Sequence, residues 1–225
     1  MTSFDISKDG VSALNRSLHD DAVAGMIVEA QNPGGAHNVA TGAMFDCTVN
    51  IHGHVGYYCA GMNQQATINV SGNAGPGLAE NMMSGRVNVS GNASQYCGAT
   101  SHGGLLVVRG DAAARCGISM KGSDIVVGGS IGHMSAFMAQ SGRLVVCGDA
   151  GDALGDSIYE ARIYLRGKAS SLGTDCVEKE MRTEHKDELA ELLEAADLDH
   201  DVASFRRLGS ARQLYNFKID NLSAY

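Results

Sequence analysis

The sequence predicts an all-β fold, a parallel β-helix (solenoid) of about seven 19-residue coils, with a small N-terminal cap and an α-helical C-terminal tail. Three observations carry that prediction. Glycines recur at Gly53, Gly72, Gly91, Gly110, Gly129, Gly148 and Gly167, each 19 residues after the last, with no insertion. Aliphatic residues stand two and four positions before each glycine, from Val49 and Ile51 to Ile163 and Leu165. That spacing is the period-two signature of a short strand with one buried face. Small residues follow: Val55, Ala74, Ala93, Ala112, Ile131, Ala150 and Ala169 two positions on, then mostly Ala or Gly seven positions on. One strand per unit cannot bury its inner row alone and must stack on its neighbours. Helical repeats need apolar residues at 3.6 spacing, and these units are rich in Gly, Ser and Asn instead. Each glycine is expected at a coil corner, for positive φ or close backbone approach. With strands about 4.8 Å apart, seven coils make a rod roughly 30 Å long.

Residues 1–40 read as an N-terminal cap covering the exposed end of the stack. Phe4 and Ile6 suggest a strand, and Val11, Leu14 and Leu18 one face of a short helix capped by Ser12 or Asp9. Met26–Val28 is a second strand candidate and Asn32–Gly35 a turn. Gly34 lies 19 residues before Gly53, so an imperfect first coil is expected to begin there. Residues 41–175 form the β-helix. Its interleaved positions, Asn50, Asn69, Asn88, Val107, Val126, Val145 and Tyr164, suit an outer face, and the three asparagines predict an amide ladder. Residues 176–225 form an acidic helix and an apolar tail. Ten acidic residues against three basic ones between 176 and 201 leave −7 of the chain's net −8. Leu189, Leu192, Leu193 and Ala196 follow helical spacing from about Thr183. The acidic face serves solubility or docks a basic partner. The tail from Phe205 to Tyr225 is expected to pack on the last coil or on a neighbouring subunit.

Composition limits the function. A net charge of −8 disfavours a nucleic-acid surface. No apolar run is long enough for a membrane span and no leader pattern opens the chain, so a cytoplasmic location is expected. The six cysteines have no Cys-x-x-Cys spacing, and Cys59, Cys97 and Cys116 occupy the position where Leu78 and Leu154 stand in other coils. They read as small core hydrophobes, neither a disulfide set nor metal ligands. His52 and His54 flank Gly53 and are able to share a face, with His37, His102 and His133 in other coils, but none has carboxylate or cysteine partners at ligand spacing. The expected site list is therefore empty of catalytic, cofactor-binding and metal-binding residues. Methionines at 44, 62, 82, 83, 120 and 138 fill the core or form an adaptable apolar patch for a partner.

The stretches GNAGPGLA from Gly72, RGDAAARCG from Arg109, GDAGDALGD from Gly148 and RGKASSLGTD from Arg166 resemble the C-terminal β-helix (GXGXG) domain of glutamate synthase large subunits, over roughly residues 34–176. Within that family the chain looks most like a free-standing β-helix subunit of a glutamate-synthase-like complex, the N-methylglutamate synthase type above all. The HVGYYCAGMNQQA and LYNF stretches add to that likeness. The resemblance implies a right-handed helix that carries no chemistry. It implies as partners a glutamine amidotransferase-like subunit and an FMN/iron–sulfur synthase subunit, so FMN and iron–sulfur clusters are expected on a partner and no cofactor on this chain. Two alternatives remain: the corresponding subunit of a formylmethanofuran dehydrogenase-type complex, and a stand-alone β-helix enzyme. Only one carboxylate stands on the outer row Thr48, Thr67, Arg86, Leu105, Asp124, Arg143 and Arg162, which disfavours a glycan-cleaving groove.

Overall fold

Backbone hydrogen bonds between successive coils organise the chain. The computed structural model describes residues 2–21 and 23–211. It opens with strand β1 (Thr2–Asp5), helices α1 (Ile6–Asp9) and α2 (Val11–Arg16) and a π-helical turn (Ser17–Asp21). The stack follows as β2 (Ile27–Gln31), β3 (Thr48–His52), β4 (Thr67–Val70), β5 (Arg86–Val89) and β6 (Leu105–Val108). It continues as β7 (Lys121–Val127), β8 (Ser141–Val146) and β9 (Arg162–Leu165). The chain then forms β10 (Cys176–Lys179), α3 (Thr183–Ala195) and β11 (Arg206–Ser210). Among the described residues, eleven strands make one sheet in the order β1 to β9, then β11 and β10. From β1 to β9 every pairing is parallel. This is the expected β-solenoid, and its tail helix is α3.

Register is kept at 19 residues from coil to coil: Val49 pairs with Ile68, Ile68 with Val87, and Val87 with Leu106. Val49, Ile51 and their counterparts point inward and are fully buried. Opposite them, single bridges link Val55 to Ala74, then Ala93, Ala112, Ile131, Ala150 and Ala169, a second ladder one residue wide. The small side chains at that position allow the two walls of the coil to approach.

The glycine corners work by close approach, not by the positive φ that was the other expectation. Of the seven, only Gly53 has a left-handed φ, at 144°. From Gly91 onward each glycine N–H donates to the carbonyl of the glycine one coil earlier, at 2.8–3.1 Å. A Cβ on Gly72 would lie 2.6 Å from the Gly53 carbonyl carbon. The left-handed residues fall five, seven and nine positions later, and most are not glycine. Tyr58, Ala60 and Met62 have φ of 59°, 57° and 55°. A left-handed residue with a Cβ costs about 1–2 kcal/mol. The hydrogen bonds between coils offset that cost: Tyr58 N–H reaches Pro76, Tyr96 reaches Ala114, and Arg115 reaches His133.

The ends differ from the sequence reading. The parallel stack starts before residue 41, since β2 pairs with β3 at an offset of 21 residues, Val28 against Val49. The extra length lies at the corner, where the Pro33 ring, not Gly34, stands beside Gly53. The first coil therefore begins at β2, ahead of Gly34. Leu14 and Leu18 cap the interior, as their spacing predicts. Their helical caps are not Ser12 or Asp9. Asp5 caps α1 by accepting from Ser7 N, and Gly10 precedes α2 without a side-chain cap. At the other end the stack closes by reversal: β11 lies antiparallel between β9 and β10. Residues 176–179 are thus strand, and the acidic helix starts at Thr183. Phe205 and Leu208 are buried, as expected of the tail's start, while the tail beyond Ala211 lies outside the described residues. Among the described residues no helix is long and apolar enough to cross a membrane.

Because the added methyl of Gly72→Ala meets backbone on both sides of the contact, it cannot be relieved by a rotamer change. We expect a loss of roughly 2–4 kcal/mol, read from urea unfolding; an unchanged midpoint would show that the corner yields.

Candidate functional site on the outer sheet face

The outward side chains of the sheet form a grid of three columns, standing one, three and five residues before each glycine. Its two halves have opposite chemistry. On β3, β4 and β5 the middle column is Asn50, Asn69 and Asn88; on β6 to β9 it is Val107, Val126, Val145 and Tyr164. The apolar half is covered by α3. Leu189, Leu192, Leu193 and Ala196 bury against those four residues together with Cys147 and Phe205, a second core separate from the coil interior. The helix turns Glu184, Asp187, Glu191 and Glu194 to solvent.

Glu188 is the acidic residue of α3 that faces the sheet. Its carboxylate accepts from Arg162 at 2.5 Å, from Arg143 at 3.1 Å, and from the Tyr164 hydroxyl. Arg143 also donates two hydrogen bonds to Asp124, at 2.6 and 2.5 Å. Burial by itself raises the Glu188 carboxyl pKa, but the Tyr164 and Arg162 hydrogen bonds and the two guanidinium charges outweigh it, leaving the carboxyl below its usual range. Burial, followed by the same carboxylate, pushes the Tyr164 hydroxyl up, so it stays a donor. Two arginines then hold the end of the helix: Arg86 donates to the Ala195 carbonyl at 2.6 Å, and Arg109 to the Asp197 carbonyl at 2.6 Å and its carboxylate at 3.1 Å. Cations at the last carbonyls satisfy groups that a helix leaves open and oppose the negative end of its dipole.

Among the described residues no element covers the polar half, and its asparagines form the predicted ladder. Arg86 Nε donates to Asn88, Asn88 to Asn69, Asn69 to Asn50, and Asn50 to Glu29, all at 2.8–2.9 Å. Every amide points the same way, so the aligned dipoles end on a guanidinium at their negative end and a carboxylate at their positive end. His52 closes the carboxylate end at 2.5 Å from Glu29. The His52 hydrogen bond, followed by that of Asn50, holds the Glu29 carboxyl below its usual range. Along this ladder runs an open groove of about 390 Å³, lined by Asn50, Asn69, Asn88, Ser90, Arg86 and Arg109 among others.

The other candidate residues are dispersed. His52 and His54 do not share a partner, because His54 Nδ1 accepts from Asn73 N–H on another column. His37 stacks on Tyr57 with ring centroids 4.6 Å apart. All six cysteines are buried and unpaired. Burial pushes the Cys59 thiol up to about 12, an inert packing group. Among the described residues no group of three or more His, Cys, Asp or Glu is placed to hold a metal. The methionines divide between the two readings: Met82 and Met120 are fully buried, while Met44, Met62, Met83 and Met138 are exposed.

A third ladder was missed in the sequence. The residue after each glycine accepts from the backbone N–H one coil on: His54 from Asn73, Asn73 from Asn92, Asn92 from Asp111, Asp111 from Ser130, Ser130 from Asp149, and Asp149 from Lys168. The signal was present as a polar residue after every glycine.

Glu188→Gln removes the charge that Arg143 and Arg162 share. We expect α3 to lose about 2 kcal/mol of docking free energy, read as faster amide exchange over residues 185–195 with the coil interior unaffected. The carboxyl is depressed in the folded chain, so its contribution is present above the unfolded value near 4.5 and fades as pH falls below it. Protection of α3 in the parent chain is therefore expected to drop on acidification below about pH 4.5, and to be flatter with pH in the variant.

No protein-family model matches the sequence. A search of characterised proteins finds Protein GlxC of Rhizobium meliloti (strain 1021), 59% identical over 228 residues and covering 100% of both chains. At that identity over the whole length, the chain belongs to the GlxC family.

Proposed function

We propose that this chain is the non-catalytic structural subunit of a glutamate-synthase-like complex of the N-methylglutamate synthase type. In that role it holds a glutamine amidotransferase-like subunit and an FMN/iron–sulfur synthase subunit in fixed relation. The observation that carries the reading is the 19-residue register that the inward rows keep from β3 to β9. Three ladders lock each coil to the next: strand pairs, glycine corners and the polar side chains that follow them. Coils bound in this way cannot rotate independently, and the result is a stiff spacer with a long outer surface. The stretches that carry the family resemblance fall on these ladders. Gly72 to Ala79 runs from a close-approach corner to a left-handed alanine. The cysteine surroundings support the same division of labour, since thiols with raised pKa values in apolar settings are poor cluster ligands. FMN and iron–sulfur chemistry would then belong to a partner.

The test is purification of the tagged chain from its natural host. Stable co-elution with two larger subunits is expected, one releasing ammonia from glutamine and one carrying flavin and iron–sulfur clusters, with no turnover by this chain alone. A 23.5 kDa monomer in the presence of both partners would overturn the proposal. Glutamine turnover by the isolated chain would do the same.

A further inference from the structure

Three arginines stand five residues before their glycine on the outer face: Arg86, Arg143 and Arg162. Two of them meet carboxylates. Arg143 is paired with Asp124 and Glu188, and Arg162 with Glu188, the glutamate that α3 lays over the sheet. Arg86 is half-buried like Arg143, yet among the described residues it bonds only neutral acceptors, the Asn88 side-chain oxygen and the Ala195 carbonyl. Along its own column the nearest carboxylate is Asp124, two strand spacings and so about 10 Å away, about one screening length in ordinary salt, and Asp124 already holds Arg143. Glu29, at the far end of the ladder, is three spacings and so about 14 Å away and has His52 beside it. Arg109, across the groove, has its charge met by Asp197. The groove is thus lined by one part-buried guanidinium with unfilled donors, on a face where an overlying element supplies the carboxylate elsewhere.

We infer that the uncovered polar half of the outer face is a docking surface for a partner subunit, and that the partner places an acidic side chain in the groove against Arg86. This rests on the reading of the chain as an assembly subunit. The docking mode is the one that α3 displays on the other half: a carboxylate on an overlying segment, inserted beside an outer-column arginine. The floor differs in being amide and hydroxyl, through Asn50, Asn69, Asn88 and Ser90, which suits a polar segment and not a leucine-rich helix face. Charge complementarity selects the partner's chemistry, and the polar floor selects a hydrated interface.

Two variants test this in the purified complex. Arg86→Gln is expected to weaken assembly at least tenfold in dilution measurements, with a shallower salt dependence than the parent. Amide exchange over residues 193–198 reports separately any loosening of the end of α3. In Arg86→Lys, a carbodiimide joins the introduced amine to a carboxylate in contact. Mass spectrometry of the digest is expected to place that amide bond on an Asp or Glu of a partner subunit. Bonds only within the chain, including to residues 212–225, or only to a second copy would overturn the inference, as would unchanged assembly by Arg86→Gln. Saturable binding of succinate to the isolated chain, lost in Arg86→Gln, would also overturn it by making the groove a small-molecule site. In these cases a recovered complex leaves the structural-subunit reading intact; if no heteromeric complex exists, both readings fail.

Discussion

The contact of each corner glycine with the backbone one coil earlier is the constraint on which the rest of this structure depends. Strands in a sheet lie about 4.8 Å apart, and at the corner the chain must keep that spacing while it turns. Where the Gly72 Cβ would stand, the Gly53 carbonyl already does. Removing the side chain lets the glycine amides bond along the rod, and this fixes the coil length. A slip of one residue would turn the inward row outward. The one lengthened coil supports the point: its two extra residues fall at the Asn32–Pro33 corner, and the strand pairing of β2 with β3 stays in register.

A fixed register makes the outer face as ordered as the core. Any residue type repeated at 19 positions becomes a column of side chains at strand spacing. The middle outer column therefore presents an aligned amide chain over three coils and an aliphatic strip over the next four. The strip requires cover, and α3 supplies it with the same surface chemistry that the sheet offers. Four apolar residues meet the strip, one glutamate meets two arginines, and two further arginines receive the helix end. Cover and charge thus stop at the same boundary, between Asn88 and Val107.

Much of this could be read from the chain alone. The coil length, parallel register, inward rows, amide ladder and acidic helix all follow from spacing, because a repeat converts sequence position into spatial position. What was not legible lies where two rungs or two elements meet. The glycines leave open two roles in sequence, and close approach is decided only when the neighbouring coil is in place. The left-handed positions at Tyr58, Ala60 and Met62 carry side chains that hide them from a search for glycine turns. The pairing of α3 with β6 to β9 was implicit in the change from Asn88 to Val107. Recognising it required treating the change as a sign of cover and not as a mixed outer set.

The boundary also explains why Arg86 differs in kind from its counterparts. Arg143 and Arg162 lie beneath a helix whose sequence supplies Glu188 in reach of both. Arg86 lies just past the point where that helix ends, and only the carbonyl of Ala195 reaches it. Its remaining donors face a groove whose floor is already bonded along the rod, so the ladder spends its acceptors on itself. A guanidinium left in this state is held in place by neutral bonds, and among the described residues no carboxylate bonds it. Partial burial weakens the screening that would make such a charge unimportant at an open surface. Of the three arginines that stand five residues before a glycine, Arg143 and Arg162 are met by carboxylates, and the charge of Arg86 marks the face where the described part of the chain stops and an overlying acidic segment fits.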